Sequence, residues 1–221
     1  MTAGQQMDHA VAEPAPESGL ILDGQGVPRC FWQPAMPDYH DHEWGRPVAD
    51  DRRLYEKICL EGFQAGMAWI TILRKREAFR EAFDDFDFER VARYTDRDVE
   101  RLMGNAGIVR NRSKILSAIN NARRALALAE ETGSLSGWLW KHEPPAQDRP
   151  KMVDRDYWNS NPTSTASTEL SRALKRRGWT FVGPTTIHAF MQAVGMVNEH
   201  MSGCVCHRDI EAARASFRRP G

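Results

Sequence analysis

The chain has 221 residues, of which 41% are hydrophobic, and 30 basic side chains balance 30 acidic ones. This length permits one large domain or two lobes. The zero net charge argues against a protein that binds polyanions non-specifically. No apolar run approaches the 18 residues of a membrane span, and the first residues lack the pattern of a signal peptide. Four cysteines in such a chain are typical of a reducing compartment, so we expect a cytoplasmic protein without membrane association.

The two ends of the chain look different from the middle. Residues 1–26 are polar and contain Pro and Gly, which predicts a disordered N-terminal tail. Residues 208–221 read as a frayed C-terminal tail. A single domain with two helical lobes is therefore expected over residues 27–207.

Helical periodicity dominates this domain, with apolar residues at intervals of three and four. Residues 142–163 contain four prolines and predict a long surface loop. No run of alternating apolar residues indicates a strand, so the predicted class is all-α with about eight helices. The clearest helix starts are Asp50 or Asp51, the residues after Gly66, a Thr95–Asp98 capping box, Asn111, Thr163 or Ser164, and Pro184.

Two pairs of metal-ligand side chains lie at opposite ends of the chain, Cys30 with His40 and His200 with Cys204. Two Cys and two His make a closed tetrahedral zinc set, which is typical of a structural site. If the pairs share one ion, the metal joins the first folded segment to the last. The residues alone leave this open, because Cys206–His207 offers rival ligands and buried cysteines also pack as small apolar side chains.

Glu61 follows Leu54 and Ile58 at spacings of four and three, which places its carboxylate on the apolar stripe of a helix. A carboxylate there must be paired, neutralised or placed in a pocket, unless its position beside Gly62 lets it reach solvent. Aromatic residues in the same stretch could belong to the core or form the walls of a pocket for a planar base. They are Trp32, Tyr39, Trp44 and Trp69.

A turn at Asn105–Gly107 joins a short helix to a basic one. Residues 105–125 contain five basic side chains and no acid, and residues 170–180 contain four and no acid. A helix-hairpin-helix aims backbone N–H groups at a phosphate, which positions a duplex without reading its sequence. Solvated helix faces and ordinary bundle turns give the same pattern, so this signal is weak by itself.

Taken together, the residues resemble the bacterial family of 3-methyladenine DNA glycosylases I. The resemblance runs from Cys30 to about Cys206, roughly 80% of the chain. Six blocks in order are far more specific than any one motif. They are residues 39–45 (YHDHEWG), 58–73 (ICLEGFQAGMAWITIL), 105–115 (NAGIVRNRSKI), 162–165 (PTST), 174–183 (LKRRGWTFVG) and 190–200 (FMQAVGMVNEH).

The resemblance implies a helix-hairpin-helix glycosylase fold whose termini are joined by one structural Zn²⁺. It also implies hydrolysis of the N-glycosidic bond of 3-methyladenine in alkylated duplex DNA by a monomer, with free 3-methyladenine as product. The implied zinc ligands are Cys30, His40, His200 and Cys204. The implied base pocket has Glu61 as the catalytic residue and Trp69, Tyr39, Trp32 and Trp44 around the base. The implied DNA contacts are Gly66, Met67 as a wedge, Gly107, Ile108, Arg110, Arg112 and Lys114.

The chain departs from the family pattern in the pocket and at the wedge. Met36 and Pro37 occupy the neighbourhood of a second pocket tyrosine, and Met67 replaces a leucine. The aspartate that assists water in the wider superfamily has no clear counterpart.

A non-catalytic, zinc-stabilised helix-hairpin-helix module is the alternative from another class, and it would bind duplex DNA without releasing a base. A zinc hydrolase is disfavoured, because a saturated ligand set leaves no position for water.

Overall fold

The computed structural model describes residue 15 and residues 18–221. Strand β1 (Leu20–Leu22) pairs with β2 (Pro28–Cys30) as an antiparallel hairpin in which Leu20 lies opposite Cys30. The Asp23 carboxylate closes the turn by accepting the N–H groups of Gln25 and Val27. The predictions of a disordered tail and of no strand were therefore wrong for residues 18–26. The rest of the predicted tail, residues 1–14, 16 and 17, lies outside the described residues.

All other regular secondary structure in the described chain is helical, which confirms the all-α class. Six helices lie before the basic turn: α1 (Pro37–His42), α2 (Asp51–Gln64), α3 (Trp69–Arg74), α4 (Arg76–Ala82), α5 (Phe88–Val91) and α6 (Asp96–Gly104). Six follow it: α7 (Arg112–Thr132), α8 (Leu135–Trp140), α9 (Arg155–Ser160), α10 (Thr165–Arg176), α11 (Pro184–Ala193) and α12 (Val205–Ser216). Twelve helices form in the described residues, against about eight expected. Among the additional ones, one predicted helix divides at Lys75, the proline-rich loop contains α9, and α12 forms in the predicted C-terminal tail.

Four of the predicted helix starts are confirmed by hydrogen bonds at the helix N-terminus. Asp50 accepts the Arg53 N–H at the start of α2, and Thr95 forms a capping box with Asp98 at the start of α6. Asn111 caps α7 and Ser164 caps α10. Side chains that accept orphan N–H groups in the first turn act within three residues, so local sequence is enough to specify them.

The main hydrophobic core lies among α2, α7, α10 and α11, with the short helices packed around it. Two smaller clusters stand apart from it. One joins Cys30 of β2 to Met201 and Cys204, and the other contains Tyr39, Trp44 and Ala193. The two ends of the folded chain therefore meet in clusters of their own. Within the described residues, no helix is long and apolar enough to cross a membrane.

Helix α12 replaces the predicted C-terminal tail as far as Ser216. Its Arg214 is 2% exposed and donates to the carbonyls of Gly195 and Met196, while Ile210 is buried on the same helix. These contacts reach back to the loop after α11, so tertiary packing orders a segment whose own sequence carries few apolar residues.

Candidate active site and metal centre

The structure brings the predicted pocket residues together around one cavity of about 280 Å³. Helix α2 supplies Glu61, and α1 supplies Tyr39. The five predicted residues in this cavity wall are Trp32, Tyr39, Trp44, Glu61 and Trp69. Aromatic walls with a few polar groups are the usual composition of a site for a planar ligand.

The aromatic rings form two groups in the cavity wall. Tyr39 and Trp69 lie with ring centroids 5.7 Å apart at an interplanar angle of 46°. In the second group, Trp32 meets Trp44 edge to face at 5.0 Å. Trp158 completes this group, with centroids 6.0 Å from Trp44 and 6.3 Å from Trp32. The faces of electron-rich rings attract cations, so this wall suits a positively charged aromatic ligand.

Glu61 is the electrostatic centre of the cavity. Its side chain lies on the buried face of α2 and is 5% exposed, and none of the described residues hydrogen-bonds its carboxylate. Burial raises the pKa of Glu61 to about 8, and the Lys57 cation only partly opposes this shift. Since burial disfavours the charged form, a cationic ligand in the cavity would restore the carboxylate and bind to it.

Sequence reasoning missed half of the cavity wall. Trp158 lies on α9, inside the segment predicted as a loop, and its indole N–H donates to the Glu199 carbonyl at 3.0 Å. Gln192 of α11 donates from Nε2 to Glu199 Oε2 at 2.6 Å. Because a carboxylate only accepts, this bond fixes the amide orientation and leaves the Gln192 carbonyl oxygen free for a ligand. The other unpredicted wall residues are Met36, Gln64 and Ala189.

Beside the pocket, a cluster of buried Cys and His side chains is arranged to hold a metal ion. Cys30, His40 and Cys204 bring their ligand atoms within 4.8 Å of one another, as do His40, His200 and Cys206. His40 belongs to both groups. Its Nε2 lies 3.6 Å from Cys204 Sγ, whereas its Nδ1 faces Cys206 Sγ at 3.8 Å.

The partners of the two imidazoles test whether these residues fit a metal. His40 Nδ1 bonds the Asp41 carboxylate at 2.6 Å, and His200 Nδ1 bonds Asn198 Oδ1 at 3.1 Å. Metal-binding histidines characteristically bond a carboxylate or carbonyl through the nitrogen that does not hold the ion. Both rings therefore use Nδ1 for an outer hydrogen bond. His40 Nε2 is left for a ligand, and His200 Nε2 has only a long contact of 3.5 Å to the His40 carbonyl oxygen, so the donor set fits a tetrahedral metal.

Two aromatic side chains of the pocket pack directly against the histidines of this cluster. The Trp32 ring lies 4.7 Å from the His40 ring, and the Trp44 ring lies 4.6 Å from the His200 ring. Tyr39 also precedes His40 on α1. The same side chains that would hold the metal thus support the aromatic walls.

The hairpin before α7 differs from its prediction. The Gly107 N–H is not directed at solvent, because it donates to Asn105 Oδ1 at 2.8 Å. Ile108 is buried in the core at 3% exposure. Both residues therefore shape the turn, and Arg110 and Arg112 remain exposed. Arg112 pairs with Glu100, a surface contact that a phosphate could replace.

Lys114 also has a role in the fold that the acid-free run did not suggest. It is 9% exposed, and its Nζ donates to the Phe63 and Ala65 carbonyls at 2.8 and 2.6 Å. These carbonyls belong to the C-terminal end of α2, which has no intrahelical partners for them. These bonds join α7 to α2, and the phosphate contact of Lys114 stays a prediction.

Lys114→Met should therefore lower stability rather than only DNA affinity. The change leaves two carbonyls without their charged donor, and each such bond contributes about 1.5–3 kcal/mol. We expect the midpoint of urea unfolding to fall, whereas Arg110→Met, at an exposed site on the same turn, should leave it unchanged. Equal unfolding midpoints for Lys114→Met and the parent would contradict the structural role.

The predicted wedge lies at the mouth of the pocket. Gly66 adopts a φ of +78°, which lets the chain turn sharply between α2 and α3 and present Met67. Both residues line an open groove of about 460 Å³ together with Thr185 and Thr186 of α11. Glu61, Gln64 and Ala189 line this groove as well as the pocket, so the two spaces adjoin.

Comparison with known proteins agrees with this geometry. The family model described as methyladenine glycosylase matches residues 29–207. The DNA-3-methyladenine glycosylase 1 of Escherichia coli is 45% identical over 183 residues, which cover 81% of this chain and 96% of the relative.

Solved structures give the same result for the fold. A crystal structure of 3-methyladenine DNA glycosylase I (TAG) superposes with a TM-score of 0.74 at 45% identity, covering 81% of this chain and 99% of that one. A Staphylococcus aureus TAG structure that addresses 3-methyladenine recognition has a TM-score of 0.73 at 35% identity, covering 79% and 92%. On its sequence, its fold and its clustered pocket residues, the chain belongs to the methyladenine glycosylase family.

Proposed function

We propose that this protein releases 3-methyladenine from alkylated duplex DNA by hydrolysing its N-glycosidic bond. The observation that carries the proposal is a buried carboxylate, Glu61, without a hydrogen-bond partner among the described residues in a cavity of aromatic rings. A DNA-binding module has no use for such a cavity, since holding a carboxylate there destabilises the fold. A site that captures a cation, in contrast, uses a buried carboxylate of this kind to attract it.

The chemistry of the lesion matches this cavity. A base within a duplex must be flipped out before an enzyme can reach it. Methylation at N3 makes adenine cationic and weakens its bond to the sugar, so the leaving base needs little acid assistance. Glu61 then bonds the edge of the base and favours its positive charge, while Tyr39 and Trp69 stack on it. Water attacks the anomeric carbon.

We also propose that one structural Zn²⁺ is held by Cys30, His40, His200 and Cys204. Support comes from the imidazole partners, because both rings use Nδ1 for an outer hydrogen bond, His40 keeps Nε2 for the ion, and His200 Nε2 has only a 3.5 Å contact to the His40 carbonyl oxygen. Cys204 is favoured over Cys206, since it faces His40 Nε2, whereas Cys206 faces the nitrogen that already bonds Asp41. A closed set of this kind supplies no catalytic position and stabilises the pocket.

We attribute duplex binding to the predicted DNA contacts that are exposed in the structure. Arg110 and Arg112 stand at the start of α7, where a helix N-terminus favours phosphate. Met67 at the pocket mouth fills the space that the flipped base leaves in the stack. These contacts carry no sequence preference, so alkylated sites in any context are substrates.

The test is to incubate the protein with methylated duplex DNA and identify the released base by chromatography. The parent should release 3-methyladenine. Trp69→Ala should lose most of this activity, because one stacking wall is gone, and it should also lower stability, since a large, partly buried side chain is removed. Trp138→Ala, at a half-buried tryptophan outside the pocket, is the matched control and should retain base release. Duplex binding without release by the parent would favour the non-catalytic module.

A further inference from the structure

Phe181 combines two properties that packing alone does not explain. Its φ is +55°, a left-handed conformation that a bulky L-residue rarely adopts, and its side chain is 39% exposed. Such strain persists only where the surroundings enforce it, and it concentrates at sites that bind or react. A strained residue that still leaves more than a third of its surface exposed points to a contact with another molecule.

Hydrogen bonds to the loop between α10 and α11 enforce the conformation. Asn121 of α7 accepts the Thr180 N–H and donates to the Thr180 carbonyl, both at 2.9 Å. Ser117, also on α7, donates to the same carbonyl at 3.2 Å. On the other side of Phe181, Ser171 donates to the Val182 carbonyl at 2.6 Å. The peptide before Phe181 and the peptide after Val182 are thus fixed, which holds the backbone on both sides of the strained residue.

The same stripe of α7 also positions the turn at the pocket mouth. Lys114, Ser117 and Asn121 follow at spacings of three and four, so they share one face of the helix. Lys114 bonds the Ala65 carbonyl directly before Gly66, while Ser117 and Asn121 hold the Phe181 loop. The helix whose N-terminus faces phosphate in the proposed function therefore also orients Met67 and Phe181.

Phe181 lies close to the pocket helix on this side of the molecule. A Cβ on Gly62 of α2 would stand 3.4 Å from the Phe181 Cβ. Gly62 adjoins Glu61 and lies one turn before Gly66. Phe181 therefore lies beside the C-terminal part of α2, close to the start of α7.

The charge around the loop indicates a polyanion. Helix α10 leads into it and exposes Arg172, Lys175 and Arg176, and residues 170–180 contain no acid. An exposed aromatic ring beside basic side chains is the combination that proteins use to hold sugar and base surfaces of nucleic acids. Duplex DNA is the occupant that fits both the ring and the charge.

We propose that Phe181 is a second apolar DNA contact, which packs against the duplex beside the flipped nucleotide while Met67 fills the gap. This inference rests on the proposed function for the position of the DNA. It adds a residue whose backbone is pre-set for contact, so that binding need not order the loop.

The test measures affinity for a duplex with a tetrahydrofuran abasic analogue, which requires no base release. Phe181→Gly removes the ring and suits the positive φ, so the fold should be kept. We expect about five- to hundredfold weaker duplex binding with unchanged affinity for free 3-methyladenine. Phe181→Tyr should bind the duplex within about twofold of the parent, since it keeps the ring. Met152→Ala, at an exposed apolar residue away from the loop, is the matched control.

Unchanged duplex affinity in Phe181→Gly overturns the proposal, as does an equal loss in Met152→Ala. An equal loss of free-base and duplex affinity in Phe181→Gly also overturns it, because the ring would then support the pocket. If the glycine variant unfolds, Phe181→Asn gives the same comparison, since Asn tolerates a positive φ. Failure of the parent to release 3-methyladenine would refute the proposed function and leave these binding results to decide the role of Phe181.

Discussion

Glu61→Gln is expected to raise the melting temperature at pH 8 while it lowers release of 3-methyladenine. The pKa of Glu61 is raised by burial to about 8 from an ordinary value of 4.5. In the unfolded chain the carboxyl ionises freely, whereas the folded protein must keep it protonated or bury its charge. Gln keeps the shape of the side chain and removes that charge.

The direction of the pH dependence follows from proton binding. Between pH 4.5 and pH 8 the folded state holds the Glu61 proton more tightly than the unfolded state does, so the free energy of unfolding falls as pH rises through this window. The loss is complete above pH 8 and amounts to as much as about 5 kcal/mol. Parent and Glu61→Gln should thus melt alike near pH 4 and diverge towards pH 8, by about 2–4 °C per kcal/mol.

Capture of the cationic base should rise with pH, in contrast to the stability of the folded state. A cationic base is attracted to the ionised carboxylate, so capture of the lesion releases a proton below pH 8 and strengthens as pH rises towards that value. Glu61→Gln lacks this dependence. Losing one charged hydrogen bond costs about 1.5–3 kcal/mol, which corresponds to roughly ten- to hundredfold slower release.

Glu56, on the same helix, provides the matched control. It is also buried, at 2% exposure, but it pairs with Arg53 and Arg80. Glu56→Gln should lower stability at neutral pH, because Arg53 and Arg80 each lose their buried carboxylate partner. The measurements are thermal melting from pH 4 to pH 9 and base release from methylated duplex. A Glu61→Gln protein that releases 3-methyladenine at the parental rate would overturn the assignment of Glu61.

What the sequence predicted correctly depends on local rules. The capping residues Asp50, Thr95, Asn111 and Ser164 act on backbone groups within their own first turn, and all four form the expected bonds. Glu61 was found because its spacing from Leu54 and Ile58 placed a charge on an apolar stripe. Helical periodicity is enough for that inference, since neighbours on one face are fixed by the geometry of the helix.

The errors concern residues whose environment is set by distant parts of the chain. Trp158 joins the pocket because its N–H meets the Glu199 carbonyl, 41 positions away. Lys114 looked like a surface cation, but its partners are the Phe63 and Ala65 carbonyls, about 50 positions earlier. No local pattern encodes such bonds. One sequence feature could have indicated the burial of Lys114. It lies next to Ile115 and one turn before Ala118, on the apolar face of α7 that packs into the core.

Zinc ligation was predicted from residue types and the resemblance. The first pair of ligands could be found from local sequence, whereas the choice of the second cysteine could not. The Cys30–His40 pair is local to one segment. The choice between Cys204 and Cys206 depends on which nitrogen of His40 each thiol faces, which is a tertiary property. The resemblance implied Cys204 without giving that physical reason.

Removal of the metal is expected to have the largest effect on the folded state. Structural zinc contributes about 10–16 kcal/mol of apparent binding free energy in zinc-finger peptides, where folding and binding are one process. Here the ion would join β2, α1 and the turn before α12, in a cluster separate from the main core. The parent should contain one zinc per chain, and chelation should lower its melting temperature and abolish binding of free 3-methyladenine, because Trp32 and Trp44 pack on the ligand imidazoles.

Serine variants of the cysteines decide the ligand set. Cys204→Ser should lose the zinc, since its sulfur faces His40 Nε2, whereas Cys206→Ser should retain it. Cys59→Ser, at a buried cysteine of the main core, is the control for losing a thiol and should keep both metal and free-base binding. The measurements are metal content by mass spectrometry and tryptophan fluorescence on titration with 3-methyladenine. Loss of zinc in Cys206→Ser with full occupancy in Cys204→Ser would reverse the assignment. Parental metal content in both would mean that neither thiol is required, and the closed four-ligand site would then be wrong.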